Sequence, residues 1–221
     1  MSEADLRISW LGRVEFADAL ALQEDFVARK RELPNSSDEI LLLEHEPVYT
    51  IGRTPDKSSL LGVAHLPHPL FAINRGGQAT YHGPGQLICY PIVDLRRCGQ
   101  DLHRYLRWLE ATLIDFLAAF GISAAQREGL TGVWVNDRKI ASIGVGVRHW
   151  ITMHGFALNV CDDLSPFAQI VPCGISNVTM TSMEKETGEA LSVVDVAHEF
   201  KNIVREKVYE LRNQETHALS R

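Results

Sequence analysis

No stretch of the 221-residue chain approaches the about 20 consecutive apolar residues of a membrane span, so no spanning helix is expected. The opening Met1-Ser2-Glu3-Ala4-Asp5 is acidic with no apolar core behind it, and no secretory signal is read there. Cysteine is scarce. The four thiols at 89, 98, 161 and 173 are too few and too scattered for a disulfide framework, and neither a Cys-x-x-Cys pair nor a zinc-type spacing occurs. These absences describe a cytoplasmic chain with reduced thiols and no metal. Lysine is scarce as well, six against sixteen arginines. The net charge of −6 argues against a protein whose main work is gripping nucleic acid or acidic lipid, so neither nucleic acid nor membrane is expected as a partner.

What is present is ordinary globular composition, with 45% apolar residues, no repeat and no long linker, which favours one continuous domain. Three segments carry helical period. From Glu15 to Leu33 the residues Phe16, Ala19, Leu20, Phe26 and Val27 fall on one face, and Pro34 ends the run. From Asp101 to Phe120, Leu102, Leu106, Leu109, Leu113, Phe116 and Phe120 step by three and four, and Gly121 stands where a C-terminal cap belongs. A Ser-x-x-Asp box at Ser192 opens a third helix with Val196, Phe200, Ile203 or Val204, Val208 and Leu211 inward, and the polar chain after Leu211 is expected to fray.

Strand-like runs cover Leu6–Trp10, Ile40–Leu43, Val48–Ile51, Leu70–Asn74, Leu87–Val93, Gly132–Val135, Lys139–Val147 and Phe156–Val160, with a hairpin turn at Asn136-Asp137. Strands arrive in groups rather than alternating singly with helices, which predicts an α+β fold with a mixed, largely antiparallel sheet. The stretches 34–38, 54–69 and 184–189 read as exposed.

Four segments carry chemistry. The densest runs from Arg75 through Gly76, Gly77, Gln78, Ala79, Thr80, Tyr81, His82, Gly83, Pro84 and Gly85 to Gln86, between two strands. Its glycines would let backbone N–H groups approach a ligand, Arg75 would add a fixed positive fork, and Tyr81, His82 and Gln86 would add polar tips. A tight strand connection is the plainer alternative. In the second, Lys139 follows the hairpin turn and leads into Ile140-Ala141-Ser142-Ile143-Gly144. Partial burial there would disfavour an ammonium and suit acid–base work, whereas a hairpin lysine is ordinarily solvated. In the third, His154 and Gly155 introduce the apolar Phe156-Ala157-Leu158. The fourth sets Cys173 between Pro172 and Gly174 on a bend, so it is the best nucleophile candidate of the four thiols, with a small buried hydrophobe as the alternative.

Together these segments resemble the lipoyl(octanoyl) transferase family, the octanoyl-[acyl-carrier-protein]:protein N-octanoyltransferases. The resemblance rests on Arg-Gly-Gly-x-x-Thr-Tyr-His-Gly-Pro-Gly-Gln at 75–86, Lys-Ile-Ala-Ser-Ile-Gly at 139–144, His-Gly-Phe-Ala-Leu-Asn at 154–159 and Pro-Cys-Gly-Ile at 172–175, and it covers nearly the whole chain. It implies a single catalytic domain over residues 1–212 with the biotin/lipoate protein ligase fold, followed by a polar tail at 213–221. It implies Cys173 as the acyl-thioester nucleophile and Lys139 as the lysine that lowers its pKa. Substrate contacts are implied at Arg75 to His82, at Ser142, Ile143 and Gly144, and at Gly155, Phe156 and Ala157, with His154 in support. Ala79, at a variable position of the signature, is smaller than the usual branched residue there and would enlarge the pocket slightly. The implied partners are octanoyl-acyl carrier protein as donor and the lipoyl domains of 2-oxoacid dehydrogenase and glycine cleavage proteins as acceptors. No cofactor is implied, because a thioester is already activated.

Three rivals stay open at this point. They are an ATP-using lipoate or biotin ligase, a cysteine hydrolase pairing Cys173 with His82 or His154, and a carrier-binding protein without catalysis. An acidic carrier would also need cations gathered locally, for which Arg75, Arg138 and Arg148 stand nearest the motifs.

Overall fold

The computed structural model describes residues 6–53, 59–60, 66–171 and 178–218, with side chains described through Arg212. Eight strands form the main sheet: β1 (Leu6–Val14), β2 (Asp38–His45), β6 (Gln86–Ile92), β10 (Ile151–Asn159), β9 (Arg138–Arg148), β8 (Leu130–Val135) and β7 (Ala125–Arg127) in spatial order, with β11 (Thr179–Met180) also on β9. Within this sheet, among the described residues, β1–β2 and β9–β11 pair in parallel and the other neighbours are antiparallel. A small second sheet orders β4 (Leu70–Ala72), β3 (Val48–Ile51) and β5 (Thr80–His82). This is the expected mixed, mostly antiparallel α+β arrangement.

Helices α2 (Leu102–Ala119) and α4 (Val193–Ala218) cover one face of the main sheet, and α1 (Phe16–Glu32) covers the other. The central strands show why both faces are needed. In β2, Ile40 and Leu42 point into the α2/α4 core while Leu41 and Leu43 point toward α1. Such a strand reads as a continuous apolar run because neither face meets water. Each of these leucines contributes about 1.5–3 kcal/mol by burial.

Helix termini follow local chemistry. Asp101 caps α2 by accepting the Arg104 N–H at 3.0 Å, and Gly121, at φ +72°, turns the chain away as expected. On α2, Leu109, Leu113 and Phe116 are buried, whereas Leu102 in the first turn is exposed. On α4 the inward residue is Val204 rather than Ile203, and the helix continues past Leu211 to Ala218 instead of fraying there. Regular structure also lies where none was expected, in β5 inside the glycine-rich segment, in β7 and β11, in short 3-10 turns at Leu95–Arg97 and Ser165–Gln169, and in the short helix α3 (Met183–Thr187) in the stretch read as exposed. Among the described residues, no helix is long and apolar enough to cross a membrane.

One irregularity positions the site. The β6–β10 register runs from Gln86–Asn159 to Cys89–Phe156 and stops short of Pro91, which has no N–H to donate. Thr152 repairs the gap, its hydroxyl donating to Pro91 O at 2.6 Å and accepting the Val93 N–H at 2.9 Å. At this break His154 takes a left-handed φ of +58°, and its N–H leaves the ladder for Gln23 Oε1 of α1 at 2.7 Å.

Candidate active site

β9 and β10 are paired so that Ser142, Ile143 and Gly144 stand opposite Ala157, Phe156 and Gly155. Two of the motif segments are therefore one structural unit. Above them lies a cavity open on one side, walled by these six residues and His154, by Ile73 and Arg75, by Thr80 and His82 of β5, by Tyr90 of β6 and by Phe16 of α1.

Glycines here serve close backbone packing more than ligand contact. A Cβ on Gly144 would come within 2.9 Å of Arg75 Cδ, and one on Gly155 within 2.2 Å of Cys89 O. The Arg75–Gly77 segment lies down across β9, and the Gly76 N–H is taken by Val145 O at 3.0 Å. That amide therefore bonds the protein rather than a ligand. Gly76, Gly77, Gln78, Ala79 and Tyr81 do not line the described cavity. Ala79 and Tyr81 instead pack with Tyr49, Phe167 and Ile170, so the small side chain at 79 does not enlarge it.

The polar side chains of the cavity are fixed by a directed relay. Arg75 Nη2 donates to Thr50 O at 3.0 Å and to Thr50 Oγ1 at 2.9 Å, which leaves the Thr50 hydroxyl to donate toward His82 Nε2 at 3.5 Å. His82 Nδ1 then donates to Gln86 Oε1 at 3.3 Å, Gln86 Nε2 to Asn159 Oδ1 at 3.1 Å, and Asn159 Nδ2 to Thr181 O at 2.9 Å. Behind Tyr90, His45 Nδ1 donates to Val14 O at 2.8 Å and Nε2 accepts the Tyr90 hydroxyl at 2.7 Å. These tautomers are neutral imidazoles. Burial lowers His45 and His154 to about 4. It holds His82 well below its ordinary value, with the Arg75 guanidinium adding to the effect.

Lys139 does not line this cavity. It sits three residues before Ser142 on β9 and is fully buried, so the solvated hairpin lysine is excluded. Its Nζ donates to Thr131 O at 3.1 Å and lies 5.3 Å from the Trp134 ring centre. Cys173 lies outside the described residues. The chain leading into residues 172–177 is tied by Val171 N–H to Ser59 O at 2.7 Å. The chain leaving it pairs Thr179 and Met180 with Arg138 and Lys139. The other three thiols suit a nucleophile poorly. Cys89 and Cys98 are buried, burial pushing the Cys89 thiol well up, and Cys161 is raised by burial and then by Glu184, Asp162 and Glu44.

The three arginines expected to gather an acidic partner do not form an open patch. Arg75 is buried, Arg138 pairs with Glu186 at 2.8 Å, and Arg148 lies 3.5 Å from Glu24. Phe16, Ile73, Tyr90 and His45 escaped the sequence reading. Only Tyr90 carried a signal, a polar tip in an otherwise apolar strand.

Residues 15–205 match the family model described as the lipoyl protein ligase A/B catalytic domain. The chain is 50% identical over 190 residues to the octanoyltransferase of Geobacter sulfurreducens, covering 86% of this chain and 79% of that protein. It is 48% identical over 181 residues to that of Synechococcus elongatus, covering 80% and 78%. Among solved structures, a putative lipoate protein ligase from T. acidophilum with bound lipoic acid superposes with a TM-score of 0.73 at 14% identity, over 93% of this chain and 86% of that one. The biotin protein ligase of Aquifex aeolicus with biotin and ATP gives 0.55 at 15% identity, over 94% and 72%. At these identities the structures speak for the fold alone.

Proposed function

The chain belongs to the lipoyl protein ligase A/B catalytic-domain family, and from that membership we propose that it is an octanoyltransferase acting in protein lipoylation. The observation that carries this reading is the 48–50% identity to octanoyltransferases over four-fifths or more of the chain. The donor is octanoyl-acyl carrier protein, the acceptor is a lysine amine on a lipoyl domain of a 2-oxoacid dehydrogenase or glycine cleavage protein, and the work is done in the cytoplasm.

Cys173 is the nucleophile and Lys139 the proton carrier. The Cys173 proton moves to the Lys139 amine, and the thiolate attacks the donor thioester carbonyl. The tetrahedral oxyanion collapses, the carrier's phosphopantetheine thiolate leaves, and Lys139 returns the proton to it. The acceptor amine then attacks the Cys173 thioester and gives its proton to Lys139, which passes it to the departing Cys173 thiolate. No ATP enters, because one thioester is exchanged for another before the amide forms.

The cavity supports this reading over a histidine-based hydrolase. His154, lowered to about 4, is a weak base at neutral pH, and both nitrogens of His82 already have partners. The acyl tail is held by Phe16, Ile143 and Phe156 in a cavity whose imidazoles stay uncharged. The test is intact mass after mixing with octanoyl-acyl carrier protein without ATP. An octanoyl adduct is expected on the parent protein, mapping to Cys173, and none on Cys173→Ala. An adduct that forms only with free octanoate and ATP would establish a ligase instead.

A further inference from the structure

Glu110 is a carboxylate on the buried face of α2, fully withdrawn from water and outside the described cavity. Its Oε1 accepts the Gly132 N–H at 3.0 Å, and its Oε2 lies 2.8 Å from Nη1 of the half-exposed Arg107. The carbonyl of that same peptide group, Thr131 O, accepts Lys139 Nζ at 3.1 Å. One peptide plane is therefore held between a carboxylate on its N–H edge and an ammonium on its C=O edge.

A trans peptide points its N–H and C=O in opposite directions. Its dipole thus turns the positive end to Glu110 and the negative end to Lys139. Each charge polarises the amide in the sense that strengthens the other hydrogen bond, and the surroundings are dry enough for this to matter. Gly132 makes the arrangement sterically possible. It sits at φ +130°, and a Cβ there would come within 2.6 Å of Lys139 Cε and 2.8 Å of Ala141 O. Burial raises the Glu110 carboxyl, while the Gly132 N–H, Arg107 and Lys139 draw it back down. The Trp134 face closes the other side, with the Arg127 guanidinium 5.0 Å from the same ring.

We propose that Glu110 is a positioning residue for octanoyl transfer, acting on Lys139 through the Thr131–Gly132 peptide. It fixes where the Lys139 nitrogen stands without touching substrate. The inference rests on the reading of Lys139 as proton carrier given above.

Two measurements test it. The first is the Gly132 amide proton resonance, which carboxylate bonding and carbonyl polarisation both move downfield. It is expected to move upfield in Glu110→Gln, and also in Lys139→Met, although that substitution lies on the far side of the peptide. The second is steady-state transfer. Glu110→Gln keeps an acceptor oxygen for Gly132 but loses the charge, so kcat is expected to fall about tenfold with KM for the donor unchanged, the difference between a charge-assisted and a neutral hydrogen bond. An unmoved Gly132 resonance in Lys139→Met overturns the proposal, even if Glu110→Gln does not fold. An unchanged kcat in a folded Glu110→Gln also overturns it. If the resonance moves but Lys139→Met transfers octanoyl at the parent rate, the catalytic reading of Lys139 is the part that fails, and Glu110 loses its role in transfer with it.

Discussion

Lys30 and Lys139 are both withdrawn from water, at 2% and 0% exposed, yet they are held in different ways. Lys30 Nζ lies 2.6 Å from Asp38 Oδ1 and donates to the Ser36 and Ser37 carbonyls at 3.0 Å each. Arg212 of α4 closes on the other oxygen of the same carboxylate, so Asp38 ties α1, β2 and α4 together by direct ionic contact. Lys139 Nζ donates to the Thr131 carbonyl and faces the Trp134 ring, and the Glu110 charge also reaches it through a peptide. Direct pairing makes a proton hard to move, which suits a staple. A carboxylate that acts across a peptide, as Glu110 does, stands one group away from the nitrogen it influences.

Exchanging the insults gives the largest expected effects. Asp38→Asn leaves two buried cations without their carboxylate and is expected to cost about 3–5 kcal/mol of stability. Activity per folded molecule should be unchanged. Lys139→Met is expected to lose about a thousandfold or more in both half-reactions with a melting temperature near the parent's. Urea denaturation and single-turnover transfer on both variants check this. Equal destabilisation by the two substitutions would erase the distinction.

A finer cut uses Lys139→Arg, which keeps the charge but holds its proton at any working pH. Alkylation of Cys173 should persist, slowed. Octanoyl transfer to the lipoyl-domain amine, which must give up a proton, is expected to fall about a hundredfold or more. Transfer at close to the parent rate would leave Lys139 an electrostatic role alone.

How much of this was legible in the sequence differs between the two lysines and their surroundings. The main strands and the three long helices announced themselves through apolar period, since burial is what that period encodes. Ser142–Gly144 and Gly155–Ala157 were singled out as separate segments, but only the β9–β10 register makes them one wall. Lys139 was legible as a residue and illegible as a buried one, because nothing local signals that Gly132 will lie beneath its stem. Glu110 was hidden by its neighbours. It falls four residues after Leu106 and three before Leu113, so it sits on the apolar stripe itself, and a carboxylate on a core stripe was the available clue. β5 stayed invisible because glycine and proline flank it so closely that the segment read as a loop.

Acid should separate the neutral cluster from the ionic one. His45 and His154 are lowered to about 4 in the folded chain, against about 6.5 when unfolded. Between these values the unfolded chain binds protons that the folded chain does not. Their contribution is therefore complete above pH about 6.5 and is lost as pH falls toward 4, by roughly 2 kcal/mol for each at pH 5. Urea midpoints across this range should fall for the parent and fall less for His45→Gln. The Asp162 carboxyl, raised to about 7 by burial, works in the opposite sense in both proteins, so the difference between them is the readout, and an equal fall in His45→Gln would mean that the His45 imidazole is not held neutral.

The smallest expected effect lies at the outer end of the Glu110 chain. Arg107 is 48% exposed, so its ion pair with Glu110 at 2.8 Å faces water on one side. In Arg107→Gln, solvent and an amide replace the guanidinium, and the loss should stay within the about 0.2–1 kcal/mol of an exposed pair. Glu110 keeps the Gly132 N–H, and the peptide keeps its polarisation, so kcat should change by no more than about threefold. The remaining change should shrink further as salt rises, because screening acts on the exposed partner and little on the buried amide. Measured beside Glu110→Gln, this variant separates a carboxylate that works inward through the peptide from one that merely neutralises a surface arginine. If Arg107→Gln lost as much activity as Glu110→Gln, the charge that matters would be on the surface, and Lys139 would be tuned from the solvent side instead.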